Sequence, residues 1–492
     1  MDMATQYIII LIVYFVGMLA LGFFFGRRVK NDQDYFIARG KLNSAAIGFS
    51  FSASQMSGST YMGAIGACKT LGYNFIPAAI ASASAPWFSY VLGGDRIRKV
   101  ASRTRCTTVA DIFGARYSPA ASLTSTIIML VAFIPMLAAQ FKAAGNTFEV
   151  LLGIPYFWGL VIFGGIVIVY TVVGGMFAVA WTDLIQGLLM IVGFAILAPI
   201  AVSAAGGFGG MHARYAELNP GGMTFTGIMP ALWVVSAFVV WGFFQLGGAP
   251  HAVTRFLIPE DDKTLRRALV YSVLFQSFIF ICFALLAISG HVLLPDLERA
   301  DLTVPTLVAQ YLHPVIGGVI IAAALGAMMS TVDSILLITG SLVVENIYMK
   351  VKTGEVDNKK ALQVGRIVTL VLGLLGLAVA IKPPAAILWI VTMSFQLLAA
   401  SFLFPLLLGL WWPRATKAGG LAGMIGGVSS CVIWYVLGYI QTQSFSNWIG
   451  GIWPAVLGSL VSLVLVVVVS LATKPAPQDV IDTFFDDILV KS

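Results

Sequence analysis

Ser330, Thr331, Asp333 and Ser334 lie near the middle of an apolar stretch that runs from Pro314 to Ile347. An ionisable side chain at the bilayer centre costs at least ~2.5–3.5 kcal/mol on insertion scales, so its presence there marks function. The cluster offers only oxygen donors, which suit a hard cation such as Na⁺ better than Zn²⁺ or Cu²⁺. Residues of this type at this depth point to an ion-coupled transporter rather than an anchor or a passive scaffold.

The rest of the chain must supply the membrane helices that hold such a cluster. Its 492 residues are 59% hydrophobic and 10% charged, against roughly a quarter charged in soluble proteins. The class is an all-α polytopic membrane protein. A single membrane domain, 1–474, takes nearly the whole chain and leaves no room for a separate soluble catalytic domain. The net charge of +7 falls between apolar runs, where topology accounts for it and no nucleic-acid partner is implied. Cys68, Cys106, Cys282 and Cys431 are scattered without CxxC spacing, giving neither a metal site nor a disulfide framework. The first apolar run, Tyr7 to Gly26, is too long for a signal-peptide core and reads as a retained span.

Hydropathy and length predict thirteen spans of ~20 residues or more, at about 7–26, 45–70, 73–94, 122–149, 156–175, 179–204, 228–250, 268–292, 314–347, 364–381, 385–411, 418–439 and 449–472. Positive residues between them orient the chain with its N-terminus outside and its C-terminus inside. Arg27, Arg28, Lys30, Arg39 and Lys41 then lie in the cytoplasm, with the basic 95–121 and 251–267 loops and the 348–363 connection. Lys69, Arg214, Arg299 and Lys382 fall outside, and Lys142 lies within a span. The acidic segment 475–492 reads as a solvated cytoplasmic tail.

Two spans are interrupted. Ser50, Ser52, Ser54, Gln55 and Ser57 crowd the second, and Gly242, Gly247, Gly248 and Pro250 spoil the seventh. Backbone that leaves the helix at membrane depth survives only when buried in protein or lining a cavity. Two such breaks five spans apart predict an inverted-repeat transporter, with halves at about 45–204 and 228–411 and its site at the midplane.

Several motifs together resemble the sodium:solute symporter family. They are Tyr170-Thr-Val-Val-Gly-Gly-Met-Phe-Ala178 continuing into Trp181-Thr-Asp-Leu-Ile-Gln186, Gly409-Leu-Trp-Trp-Pro-Arg-Ala-Thr-Lys-Ala-Gly-Gly420, Ser52-Ala-Ser-Gln-Met-Ser-Gly58 and Ala327-Met-Met-Ser-Thr331. Within the family the chain looks most like the proline and pantothenate permease branch. Asp301-Leu-Thr-Val-Pro-Thr306, Ile381-Lys-Pro-Pro384 and Gly248-Ala-Pro-His251 are similar to pantothenate permeases in particular. The resemblance implies a LeuT-like 5+5 inverted repeat in the cell membrane, with Na⁺ as the coupling ion.

Carried over residue by residue, the resemblance places the sodium site on Ala53 and Met56 in the span-two break, closed by Ala327, Ser330 and Thr331. Unwinding at 53–56 frees carbonyls for the ion, while Ala327 shares a helix face with Ser330 and Thr331. It also implies a second cation position at Asp183, Ser330, Asp333 and Ser334. There two carboxylates could hold a second Na⁺ or share a proton, or Asp183 could pair with Arg255 or Arg266 instead.

Gln55 stands where proline permeases carry an Asp, and Gly242 and Leu246 replace a Trp and a Tyr of their amino-acid pocket. Expected substrate contacts are Gln55, Ser57, Gly58, Gln140, Lys142, Gln245 and Gln396. Lys142 would meet a carboxylate as a point charge, or else snorkel or pair with Glu149.

The expected function is inward Na⁺ flow driving uptake of a small organic solute, a pantothenate-like carboxylate. A proline-type or monocarboxylate symporter is the alternative, and a channel or transport-derived sensor the rival from another class. No HExxH, GxSxG or GxxxxGK[ST] motif is present, which disfavours a membrane enzyme or an ATP-driven pump. No obligate protein partner is evident beyond the lipid bilayer.

Overall fold

The computed structural model describes residues 3–27, 29, 35–351, 358–382, 387–444 and 446–489, and no strand occurs among them. Arg28, Lys30, Pro383, Pro384, part of the 348–363 connection and the first two residues of the expected 385–411 span lie outside the described residues. Helix α1 is Met3–Gly26. The interrupted second segment comprises α2 (Ser44–Ala53), a π-type turn (Ser59–Ala64) and α3 (Ile65–Leu71). Next come α4 (Ile76–Ser89), α5 (Asp95–Thr104), α6 (Val109–Arg116), α7 (Pro119–Leu152), α8 (Tyr156–Ala204) and α9 (Gly207–Leu218). The second interrupted segment comprises α10 (Ala231–Gly242), α11 (Gln245–Gly248), α12 (Pro250–Val253) and a 3₁₀ turn (Thr254–Leu257). The chain continues as α13 (Asp262–Leu293), α14 (Thr303–Tyr311), α15 (Pro314–Val343), α16 (Met349–Val351), α17 (Asn358–Ala380), α18 (Ile387–Trp411), α19 (Lys417–Thr442), α20 (Pro454–Ala472) and α21 (Gln478–Leu489).

Polar caps set the helix starts. Asn43 Oδ1 accepts from the Ala46 amide at 2.8 Å and Asp261 Oδ1 from the Thr264 amide at 2.8 Å. Thr108 and Asp111 form a capping box. Each satisfies donors that the first helical turn leaves open.

Among the described residues nine helices are long and apolar enough to cross a membrane. A tenth candidate is the pair Ser59–Asn74 and Ile76–Thr104, bent by 118°. The expected segments 156–175 and 179–204 fall on α8, whose 49 residues change direction at Gly175 (φ 61°, ψ −168°). A Cβ there would stand 2.7 Å from the Tyr35 ring, so both the positive φ and the close approach require glycine.

Burial shows which helix is central. In the Pro314–Tyr348 segment 83% of the most apolar window is buried, against 22% in Lys359–Ala380 and 33% in Lys417–Thr442. Helix α15 is enclosed by α1, α7, α8 and α17, whereas α19 and α20 pair with each other against α18 at the periphery. The oxygen cluster of α15 therefore faces protein on all sides.

The segment read as a solvated tail behaves otherwise. Helix α21 docks on α5, α6 and α18 with Phe484 and Phe485 buried. The Arg116 guanidinium lies 5.8 and 5.5 Å from their rings, and Arg103 Nη1 donates to the Thr483 carbonyl at 2.8 Å. Ile481, Phe484 and Phe485 recur at helical spacing, opposite Asp479, Asp482 and Asp486. That amphipathic pattern is what lets an acidic segment bury one face.

Candidate functional site

Helix α2 ends at Ala53, and the next four residues leave the helix before the π-type turn. Helix α15 meets this break side on. Ser330 Oγ donates to the Ala53 carbonyl at 2.9 Å and lies 3.1 Å from that of Ala327. Thr331 Oγ1 donates to the Ser54 carbonyl at 3.0 Å and lies 3.2 Å from the Ala327 oxygen. Three main-chain oxygens and two alcohols thus converge at a fully buried point, joining pieces of chain 277 positions apart. This set fits a sodium ion. All ligands are neutral oxygens, and each hydroxyl can turn its proton away and offer a lone pair instead. Ala53, Ala327, Ser330 and Thr331 are gathered as expected. Met56 is buried beside them, its amide bonded to the Ser52 and Ala53 carbonyls. Ser54 is the additional contact.

The far side of the break is tied to α7. The Gly58 amide donates to Gln140 Oε1 at 2.7 Å. A Cβ on Gly58 would stand 2.5 Å from that of Ala143, so glycine permits the close approach.

One turn along from the first cluster lies a second. Asp183, Asp333, Ser334, Ser50 and Arg255 are all fully buried. Tyr170 Oη donates to Asp333 Oδ2. Ser50 Oγ donates to Asp183 Oδ2 at 2.5 Å. The Arg255 guanidinium stands 3.5 Å from that same Asp183 oxygen, and its Nη2 donates to Ser334 Oγ at 2.6 Å. Asp183 and Arg255 therefore form an ion pair inside the protein, with Asp333 and Ser334 against it.

A largely apolar cavity opens between the two helix breaks. Gln55, Ser57, Trp241, Gln245, Gln276 and Phe395 are among the residues that line it. Gln276 Nε2 donates to Gln55 Oε1 at 3.2 Å, while Gln55 Nε2, Gln276 Oε1 and Trp241 Nε1 are buried with no protein partner. Buried polar atoms are nearly always paired, so unpaired ones on residues that line a cavity suit a polar ligand. Among the described residues no Asp, Glu, Lys or Arg lines it. The other expected contacts lie elsewhere. Gln140 serves the Gly58 amide, and Gln396 bridges Tyr435 Oη (2.7 Å) and the Ala455 amide (2.9 Å). Lys142 is half-buried outside the lining, with Asp301 and Arg299 as charged neighbours.

The sodium:solute symporter family model matches residues 35–427. The chain belongs to the sodium:solute symporter family. The sodium/pantothenate symporter of Escherichia coli (strain K12) is 29% identical over 485 residues, covering 97% of this chain and 98% of the relative. The high-affinity proline transporter PutP of Bacillus subtilis (strain 168) is 29% identical over 480 residues, covering 95% and 98%. A solved Na⁺-coupled sialic acid symporter, substrate-bound and outward-open, superposes with a TM-score of 0.81 at 20% identity, covering 97% of this chain and 100% of that one. The fold is accordingly the LeuT-like one, as expected. As a family member the chain is a sodium-coupled symporter of small organic solutes and not an enzyme. It is a multi-pass protein of the plasma membrane.

Sequence reasoning gave no site role to Tyr170, Trp241 or Gln276, and used Ser50 only as a mark of the helix break. Gln276 carried a readable signal, an amide inside the expected 268–292 span, where a polar side chain needs a partner. Tyr170 sits in a quoted motif, but which face of α8 it takes depends on the turn at Gly175.

Proposed function

We propose that this symporter takes up a small carboxylate of the pantothenate type, one Na⁺ at the span-two break making the solute cavity competent. The observation that carries the reading is the pair of unpartnered donors, Gln55 Nε2 and Trp241 Nε1, on the lining of a cavity with no carboxylate among the described residues. A proline-type solute would bring an ammonium into a chamber where no described residue offers an anion to receive it. A short monocarboxylate would leave several amide atoms unpaired, at about 1–3 kcal/mol each. A solute with a carboxylate, an amide and hydroxyls, and a branched apolar segment, uses both the glutamines and the Trp241–Phe395 wall, whose rings stack at 5.0 Å.

In this reading Na⁺ binds Ala53, Met56, Ala327, Ser330 and Thr331, holds α2 to α15 and stabilises the outward-open form. Solute closes the outer side, and opening inward breaks the sodium cage. Coupling is then a difference in affinity between two states. The chain would cross the membrane thirteen times, N-terminus outside and C-terminus inside.

The test is uptake into proteoliposomes under matched sodium and choline gradients, with pantothenate, proline and short monocarboxylates as substrates and competitors. Saturable, sodium-dependent pantothenate uptake that excess proline leaves intact is expected. Proline outcompeting pantothenate would reverse the substrate order, and non-saturable flux would favour a channel.

A further inference from the structure

Arg255 lies on the 3₁₀ turn after the second break, yet its guanidinium reaches the helices that form the sodium site. Its Nε donates to Ser50 Oγ on α2 at 3.0 Å, and its Nη2 to Ser334 Oγ on α15 at 2.6 Å. Ser50 precedes Ala53 by one turn and Ser334 follows Ser330 by one turn, so both contacts lie one layer from the candidate ion position. There a guanidinium does what sodium would do beside it, joining α2 to α15 through oxygens. Its remaining donor, Nη1, is held by the His251 carbonyl at 2.6 Å.

We propose that Arg255 is a built-in cation standing in for a second coupling ion, so that this symporter binds a single Na⁺. The inference rests on the sodium site described above and adds its stoichiometry. Charge balance is the reason. The charges facing Arg255 are Asp183 and Asp333, and all three side chains are fully buried. Isolated charges are costly away from water, so the buried set favours a composition near neutrality. With both carboxylates ionised, as the Tyr170 hydroxyl donating to Asp333 and the Arg255 and Ser50 contacts on Asp183 favour, two carboxylates and one guanidinium leave one negative charge. One sodium ion, held by neutral oxygens a turn from Asp333, cancels it. A second sodium would leave the set positive. Asp183 Oδ1, buried without a partner, marks where a metal ion would enter if the guanidinium were removed.

Equilibrium binding of radioactive sodium to the full-length protein in lipid nanodiscs, without solute, is the test. The wild-type chain binds one ion per chain, and Arg255→Lys keeps that number. Arg255→Met raises it to two, and adding Asp183→Asn to Arg255→Met brings it back to one. If Arg255→Met does not fold, Asp333→Asn decides from the other side. With one carboxylate gone, the guanidinium alone balances Asp183, and sodium affinity falls at least tenfold although Asp333 does not touch the ion. Two ions on the wild-type protein, or unchanged affinity in Asp333→Asn, would overturn the built-in cation and leave the sodium site standing. No bound sodium at all would overturn both.

Discussion

The two helix breaks face the same cavity but are held in different ways. At 54–57 the freed backbone meets polar partners: Ser330 and Thr331 take two carbonyls, and Gln140 takes the Gly58 amide. At 243–249 the chain is held by close packing on α18. A Cβ on Gly247 would stand 2.6 Å from the Leu403 amide nitrogen, and one on Gly248 would stand 2.5 Å from the Phe395 ring. Hydrogen bonds to carbonyls can be exchanged for bonds to a cation at small net cost, whereas closely packed backbone resists displacement. In the proposed function the first break responds to an ion, and the second carries a wall of the solute chamber.

Gly247→Val should have the largest effect, because the added atoms meet the α18 backbone. Overpacking of about 1–3 kcal/mol should lower the thermal midpoint, while folded protein keeps the wild-type half-saturation for sodium. A shifted sodium half-saturation would show that the two breaks do not act separately. Gln55→Asp sits on the chamber side of the first break. It should weaken binding of a carboxylate solute about a hundredfold, or about 2.7 kcal/mol, in direct binding assays at neutral pH; unchanged affinity would remove Gln55 from the chamber. Gln140→Ala strands the buried Gly58 amide, a loss of about 1–2 kcal/mol, and should raise the half-saturations for sodium and solute together. Lys142→Met should do least, leaving solute affinity unchanged, and a clear loss would return Lys142 to the chamber.

How far the sequence spoke depended on what each residue needed. Ser330 and Thr331 were legible because they close the Ala327–Thr331 motif beside Asp333 in a long apolar run, and the serines of the second segment announced a break. Which carbonyls turn toward α15 was not legible. It depends on the dihedrals of 54–57, and there Ser54 joins Ala53. Gln140, Gln396 and Lys142 were visible as polar residues at depth, but helix rotation decides what such a residue faces. That rotation comes from packing: Gln396 faces α19 and α20, not the chamber. The sequence offered Arg255 and Arg266 as alternative partners for Asp183, and the fold of the 3₁₀ turn decides for Arg255 by carrying it inward. Helix α21 was readable in its 3.6-residue apolar period, which its acidic composition obscured.

Sodium titration of solute binding, with choline holding ionic strength constant, bears most directly on the claim that one ion joins α2 to α15. Wild-type protein should bind solute only as sodium rises. Thr331→Ala should need about tenfold more sodium, equivalent to about 1.4 kcal/mol, with little change in solute affinity at saturating sodium. Equal solute binding in choline and sodium, or a Thr331→Ala curve lying on the wild-type one, would contradict it.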